Sequence, residues 1–341
     1  MKLTYQPYSL QLEYPFRISK NMRSETPIIL TKITHKGYTG YGEASLPPYL
    51  EETQQSVISF LEKINLKQFK NSIEIAEIMQ YIVAIERGNT AAKASVDIAL
   101  HDLSGKINNM PCSKIVGINS TKYPPCCFTI GIDEPHIIRK KLEKSHDFEL
   151  IKIKLDGISD KQMVETVRQF TNKPICADAN EGWNDLNYAI EMSHWLKEQG
   201  TIFIEQPFSR NSPDKSGMLK EKSPIPIIAD ESFQGFPDLL NIGDYFDGIN
   251  VKLMKCAGAL SAYHIMQYAK RKGLKILLGC MTESSCGILA AAHLSPLADW
   301  TDLDGPFLIT NNPFDAPVLK SGSIIPENLP GLGLKRNGKF V

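Results

Sequence analysis

The chain has no excess of charge of either sign, no long apolar run and no paired-cysteine spacing. Its 341 residues carry 38 Lys+Arg against 38 Asp+Glu. Nothing in that balance favours a phosphate backbone or an anionic membrane surface, so polyanion binding and nucleic-acid partners are set aside. No stretch approaches the ~20 consecutive apolar residues of a membrane span, and the opening "MKLTYQPYSLQLEYPF" lacks the apolar core of a signal peptide. The seven cysteines (Cys112, Cys126, Cys127, Cys176, Cys256, Cys280, Cys286) form an odd set without a CxxC pair. Most, Cys126, Cys176 and Cys280 among them, fall in apolar runs, where free cysteine packs in the core as a small hydrophobe. The expectation is a reducing, cytoplasmic setting with neither disulfides nor a zinc site.

What is present, from about residue 126 onward, is a recurring unit. Eight apolar runs each end in a polar residue: "CCFTIGID", "LIKIKLDG", "KPICADAN", "TIFIEQPF", "IPIIADES", "DGINVKLM", "LKILLGCMTES" and "ADWTDLDGP". Stretches with helical spacing lie between them, such as "DLNYAIEMSHWLKEQG" and "GALSAYHIMQYAKRKG", the latter stopped by Gly273. Lys154, Asp178, Glu205, Asp230 and Lys252 follow one another at intervals of 24, 27, 25 and 22 residues, and 50 residues separate Lys252 from Asp302, room for one more unit. An open doubly wound sheet gathers its polar residues at one switch point. Here nearly every strand contributes one, which suits a (β/α) barrel whose strand ends converge on one mouth.

The first ~115 residues read differently. "MKLTYQPYSLQLEYPF" and "PIILTKITHKGYTGYGEAS" look like antiparallel strands, with Gly37 and Gly40 as turn punctuation, followed by helices at "TQQSVISFLEKI" and "NTAAKASVDIALHDLSGKI". The expected organisation is an α+β capping domain over residues 1–115, completed by about 315–341, and a barrel over 116–314 that carries the reactive groups.

The charged strand ends pose the chemical question. In "ELIKIKLDG", Lys152 and Lys154 share one face of a strand while Ile151, Ile153 and Leu155 take the other. Asp178, Glu205 and Asp230 end three successive strands and point three carboxylates at one space. Their mutual repulsion calls for a cation, and an all-oxygen set with open positions suits Mg²⁺, one per subunit. Asn180 supplies a further oxygen nearby, placed either to support the metal ligands or to face substrate. Lys252 ends the strand after the last acid, so Lys154 and Lys252 fall on opposite sides of the cluster, whereas Lys255 reads as a solvent-facing rim lysine. Free lysine titrates near ~10.4. A neighbouring ammonium, a divalent cation and burial all favour the neutral amine, so Lys152 is read as tuner and Lys154 as the proton-transfer group. Two amines on opposite faces of a metal-held carboxylate can invert an α-carbon.

The set "KIK", "DAN", "EQP", "DES" and "NVKLMKCAG" closely resembles the muconate-lactonizing subgroup of the enolase superfamily, across nearly the whole chain. The resemblance implies α/β architecture with a modified (β/α)₇β TIM-type barrel. It implies Asp178, Glu205 and Asp230 as Mg²⁺ ligands and Lys154 with Lys252 as the acid/base pair. The mandelate-racemase branch would need a histidine at a late strand end, and none of the seven histidines stands at one.

Within that subgroup, "DLDGP" discriminates. Asp302 and Asp304, on one face at the last strand's end, resemble the Asp-x-Asp of dipeptide epimerases, which holds the peptide's free ammonium. The resemblance implies a cytoplasmic isomerase of cell-wall peptide metabolism that epimerises the C-terminal residue of a dipeptide, L-Ala-D/L-Glu favoured, by two-lysine 1,1-proton transfer through an enediolate. In "PFRISKNMRSETP", Arg23 is the candidate for a distal substrate carboxylate, with Arg17 and Lys20 as rivals. Thr129 is placed against the peptide, Pro47–Glu52 in a second covering loop, and Glu283 beside the second lysine. Trp183 and Trp300 read as packing residues. The alternatives are an N-acylamino-acid racemase, an o-succinylbenzoate synthase, or a non-catalytic Mg-dependent peptide-binding barrel. The sequence leaves oligomeric state open, and relatives commonly self-associate into homo-oligomers.

Overall fold

The computed structural model describes residues 1–17, 22–48, 50–69 and 73–335. Its first part is a three-stranded antiparallel sheet, β1 (Lys2–Arg17), β2 (Met22–His35) and β3 (Tyr38–Ser45), in the order β1-β2-β3. Helices α1 (Gln54–Leu61), α2 (Ile75–Ile85) and α3 (Thr90–Ile107) follow. The β2–β3 turn is made by Lys36 and Gly37, both in the left-handed region, where glycine carries no Cβ penalty. Gly40, expected at a turn, instead lies inside β3. A Cβ there would sit 2.0 Å from the Ala99 carbonyl, and one on Gly42 would sit 1.8 Å from that of Ser95. The alternating glycines let β3 lie directly on α3, whose small residues (Ala91, Ala92, Ala94, Ser95, Ala99) are buried. Close approach, not turning, is what that position requires.

The eight apolar runs form β4 (Cys127–Ile130), β5 (Leu150–Lys154), β6 (Ile175–Asp178), β7 (Thr201–Glu205), β8 (Ile227–Ala229), β9 (Gly248–Lys252), β10 (Lys275–Gly279) and β11 (Trp300–Asp302). They pair in parallel and in chain order. A bridge between Cys126 and Thr301 joins the first strand to the last and closes the barrel. Helices fill the crossovers, that between β8 and β9 being reduced to a 3₁₀ turn (Phe236–Leu240) and a single α-helical turn (Ile242–Tyr245). The helix Ala259–Arg271 ends before Gly273, whose φ of 74° marks the stop. No described helix is long and apolar enough to cross a membrane.

Period-two alternation sorts each strand into an inner and an outer face. Ile151 and Ile153 face out into the main core. The barrel floor is a separate apolar cluster of Cys127, Leu150, Cys176, Phe203, Ile228 and Leu277. Two residues further along the same strands stand Thr129, Lys152, Asp178, Glu205, Asp230 and Gly279. The doublet in "LIKIK" is thus one strand's contribution to a charged layer resting on an apolar plug. Trp183 is buried and donates its indole N–H to Asp160 at 2.7 Å, and Trp300 packs on Phe203, so both are packing residues.

After β11 the chain returns to the first sheet. Ile309 bridges Leu12, and Thr310 donates to the Gln11 carbonyl. Further on, Leu332 donates its N–H to Asp102 on α3 at 2.9 Å. Residues 336–341 of the expected C-terminal contribution lie outside the described residues.

Candidate active site

β5 and β9 stand at the second and sixth places of the eight-stranded ring, four strands apart and therefore opposed. The acid-bearing β6, β7 and β8 run between them. Lys154 Nζ donates to Asp178 Oδ2 at 2.6 Å, and Lys252 Nζ donates to Asp230 Oδ2 at 2.7 Å. Each lysine of the expected pair therefore approaches the carboxylates from its own flank. All of these side chains are buried.

Lys152 occupies the middle of the layer. Its Nζ lies 2.7 Å from Asp302, 2.7 Å from Glu205 and 3.1 Å from Asp178. Burial works against its charge, but Asp302, Glu205 and Asp178 outweigh burial and hold the ammonium well above the usual lysine range. Lys255, expected on the solvated rim, is 5% exposed and donates to both the carbonyl and Oδ1 of Asp230. It turns inward because it sits one turn beyond Lys252 in a tight loop, not on a strand. Burial raises Asp178 and Asp230, yet the lysines beside them prevail and hold both below the ordinary carboxylate range.

Glu205 and Glu231 behave oppositely. Burial first, then Asp178, pushes the Glu205 carboxyl up to about 7. Burial, then Asp230, pushes Glu231 up to about 8. Asn250 Nδ2 holds Glu205 Oε1 at 2.7 Å, and the missing side chain of Gly279 makes room for it, since a Cβ there would lie 2.4 Å from Asn250 Oδ1. Among the described residues no three His, Cys, Asp or Glu side chains gather into a metal-holding cluster, and the acids at the strand ends are instead paired with Lys152, Lys154 and Lys252. The donor chemistry nevertheless fits a hard divalent cation: the acids are all-oxygen donors, and Glu231 Oε2 is buried without a hydrogen-bond partner.

The remaining expected residues divide by position. Asp302 Oδ1 accepts the Thr129 hydroxyl at 3.2 Å, and Asp304 Oδ2 accepts the Thr129 backbone N–H at 2.6 Å, so Thr129 anchors the aspartate pair. Burial, then Asp302, pushes Asp304 up to about 7. Asn180, at a positive φ of 44°, donates to Glu231 Oε1 at 3.3 Å. Arg23 reaches the cavity mouth, where Nη2 donates to the Thr282 hydroxyl at 2.9 Å and the guanidinium lies over Phe16. Arg17 lines a different surface groove, with Tyr14 and Met22. Lys20 lies outside the described residues, as does Tyr49 of the second covering loop. Glu283 is buried at the barrel end of that wall, and burial followed by Glu43 pushes it up to about 8. Cys126 and Cys176 are core residues, but Cys280 is only half-buried and lines the cavity, because β10 has ended at Gly279 and its loop curves over the mouth. Sequence reasoning missed Glu231 and the inward Lys255, although both stand within quoted motifs.

A closed parallel barrel under an antiparallel cap, with acids on three adjacent strand ends and lysines on the strands either side, defines a capped-barrel enzyme site. The family model "Enolase C-terminal domain-like" matches residues 138–339, and "Mandelate racemase / muconate lactonizing enzyme, N-terminal domain" matches residues 2–117. The chain belongs to the enolase superfamily. It is 44% identical over 337 residues to the L-Ala-D/L-Glu epimerase of Bacteroides thetaiotaomicron, covering 98% of this chain and 88% of that one. It is 32% identical to the L-Ala-D/L-amino acid epimerase of Pedosphaera parvula, covering 99% and 100% respectively. Among solved structures, the Cytophaga hutchinsonii dipeptide epimerase with Mg and D-Ala-L-Val superposes with a TM-score of 0.89 at 28% identity, covering 98% of this chain and 95% of that one.

Proposed function

We propose that the chain is an isomerase that epimerises the C-terminal residue of dipeptides, with L-Ala-D/L-Glu as substrate and Mg²⁺ as cofactor. The observation that carries the reaction type is the opposition of Lys154 and Lys252 on β5 and β9, each against the outermost acid of its flank. The naming of relatives for dipeptide epimerisation supports the substrate class, and the relative at 44% identity supports L-Ala-D/L-Glu.

Asp178, Glu205 and Asp230 would hold the metal. When bound, it would withdraw charge from the substrate carboxylate and so acidify the α-proton and stabilise the enediolate. Lys154 or Lys252, as the neutral amine, removes the α-proton from its own face, and the opposite ammonium returns one to the other face. Lys152 is the fixed positive charge behind Lys154 and keeps Asp178 ionised. Asp302 and Asp304 receive the substrate's free ammonium at the wall that Thr129 anchors, and Asn180 orients the peptide. Arg23 takes the distal carboxylate.

One observation favours a second reading. Asp302 already has an ammonium partner in Lys152, and an N-acylated amino acid brings no ammonium, as in an N-acylamino-acid racemase. The test is α-proton exchange in deuterated water with L-Ala-L-Glu and its N-acetyl form. Exchange confined to the free amine supports the dipeptide reading. Equal exchange of both forms replaces it with the acylamino-acid one.

A further inference from the structure

The cap reaches the barrel through a buried carboxylate that the reaction does not use. Asp97, on α3, is fully buried, and its Oδ2 accepts the backbone N–H groups of Ala259 and Leu260, the first residues of the helix that follows β9. That helix has no cap of its own: the preceding residue is Gly258, at φ 115°, and a Cβ there would fall 2.4 Å from Asp97 Oδ2. Asp97 therefore does from another domain what an N-cap side chain does locally, supplying negative charge to orphan donors at the positive end of the helix. His101, one turn along α3, ion-pairs with it at 3.4 Å.

The segment joining this joint to the reactive lysine is short and stiff. The Lys252 carbonyl accepts from Lys255 and Cys256, and the Leu253 carbonyl accepts from Gly258. Ala257 is held left-handed at φ 61°, a conformation a non-glycine residue keeps only where its surroundings impose it. Lys252 and Lys255, at the near end, both grip Asp230. Among the described residues no comparable link from α3 is seen at Lys154, which meets Asp178 and the Phe16 ring.

We infer that Asp97 is a positioning residue for Lys252 alone: the buried joint between α3 and the helix after β9 sets the reach of that amine through the Lys252–Gly258 turn. The inference rests on the proposed two-lysine reaction. It makes a claim that a merely structural role does not, because the two lysines serve opposite faces of the α-carbon. Loosening the joint slows proton removal from one epimer and spares the other.

The experiment measures α-deuterium incorporation separately from L-Ala-L-Glu and L-Ala-D-Glu, using the full-length protein with Mg²⁺. Lys252→Ala and Lys154→Ala identify which epimer each lysine deprotonates. Asp97→Ala is expected to slow exchange of the Lys252 epimer by roughly tenfold to a hundredfold, the scale of small misplacements in an active site, with the Lys154 epimer within about twofold. Asp97→Asn keeps an acceptor but loses the charge. It is expected to retain the fold and slow the same epimer by a smaller factor, so the inference stays testable if the alanine variant does not fold. Equal slowing of both epimers, or no slowing in either folded variant, overturns it. A wild-type protein that exchanges neither epimer overturns the proposed function instead.

Discussion

Lys152 and Asp302, 150 residues apart in sequence, meet at 2.7 Å in the barrel interior. The contact joins the second strand of the ring to the last and leaves neither charge exposed to water. A buried charge stripped of its partner is expensive, about 3–5 kcal/mol, but the two ends of this contact are not equivalent. Lys152→Ala leaves Asp302 and Glu205 without their ammonium and Asp178 with Lys154 alone, whereas Asp302→Asn leaves Lys152 with two carboxylates. Lys152→Ala is therefore expected to lose at least about 3 kcal/mol in urea unfolding of metal-free protein, and Asp302→Asn clearly less. The reverse order would show that Lys152 is held by Asp302 and not by the acidic layer.

Divalent metal should substitute for that lysine charge. With magnesium at 100 times its dissociation constant, the folded state gains about 2.7 kcal/mol by mass action, read as a rise in thermal midpoint that a chelator reverses. Glu205→Gln is expected to remove most of the rise while changing the metal-free midpoint little, because burial beside Asp178 already disfavours this carboxylate. An undiminished shift in the variant would take Glu205 out of the ligand set.

Which parts of this site could be read from residues alone follows from geometry. Lys152, Lys154, Asp178, Glu205 and Lys252 lie on strands, where period two fixes the face and regular spacing fixes the order around the ring. Glu231 and Lys255 lie just past strand ends. Alternation would send Glu231 outward, but β8 stops at Ala229 and the turning chain brings its carboxylate back to Asn180. Lys255 points inward because of a turn with a left-handed alanine, which no periodicity announces. Gly40 was illegible for another reason: its requirement comes from the backbone of α3, more than 50 residues away.

Glu283 gives stability a pH dependence with a definite sign. Its carboxyl is raised from 4.5 to about 8 by burial and by Glu43, so the folded state holds a proton that the unfolded chain has released. Stability from this group is full below the unfolded value and is lost as pH rises from about 4.5 toward 8, by up to about 1.4 kcal/mol per pH unit. Asp304, raised to about 7, adds the same sign. Glu283→Gln, which cannot ionise, is expected to flatten part of this decline and to exceed wild type in stability at pH 8 but not at pH 5. Parallel stability curves for the two proteins would show that Glu283 is ionised in the fold.

Arg23 is the residue from which substrate preference can be tested most directly. It comes from the capping sheet, yet its guanidinium meets Thr282 on the barrel's own loop, and that loop is tied to the cap a second time by the Ser45 hydroxyl donating to the Thr282 carbonyl at 2.6 Å. The arginine is thus fixed in the cavity wall between cap and barrel loop, where its guanidinium can meet a substrate side chain. A charge-assisted hydrogen bond to a carboxylate is worth about 1.5–3 kcal/mol, roughly tenfold to a hundredfold. Arg23→Met should therefore lower kcat/KM for L-Ala-L-Glu by that factor, chiefly through KM, and leave L-Ala-L-Ala almost unaffected. If both dipeptides suffer alike, the arginine is holding the Thr282 loop in place and the acidic side chain is read elsewhere.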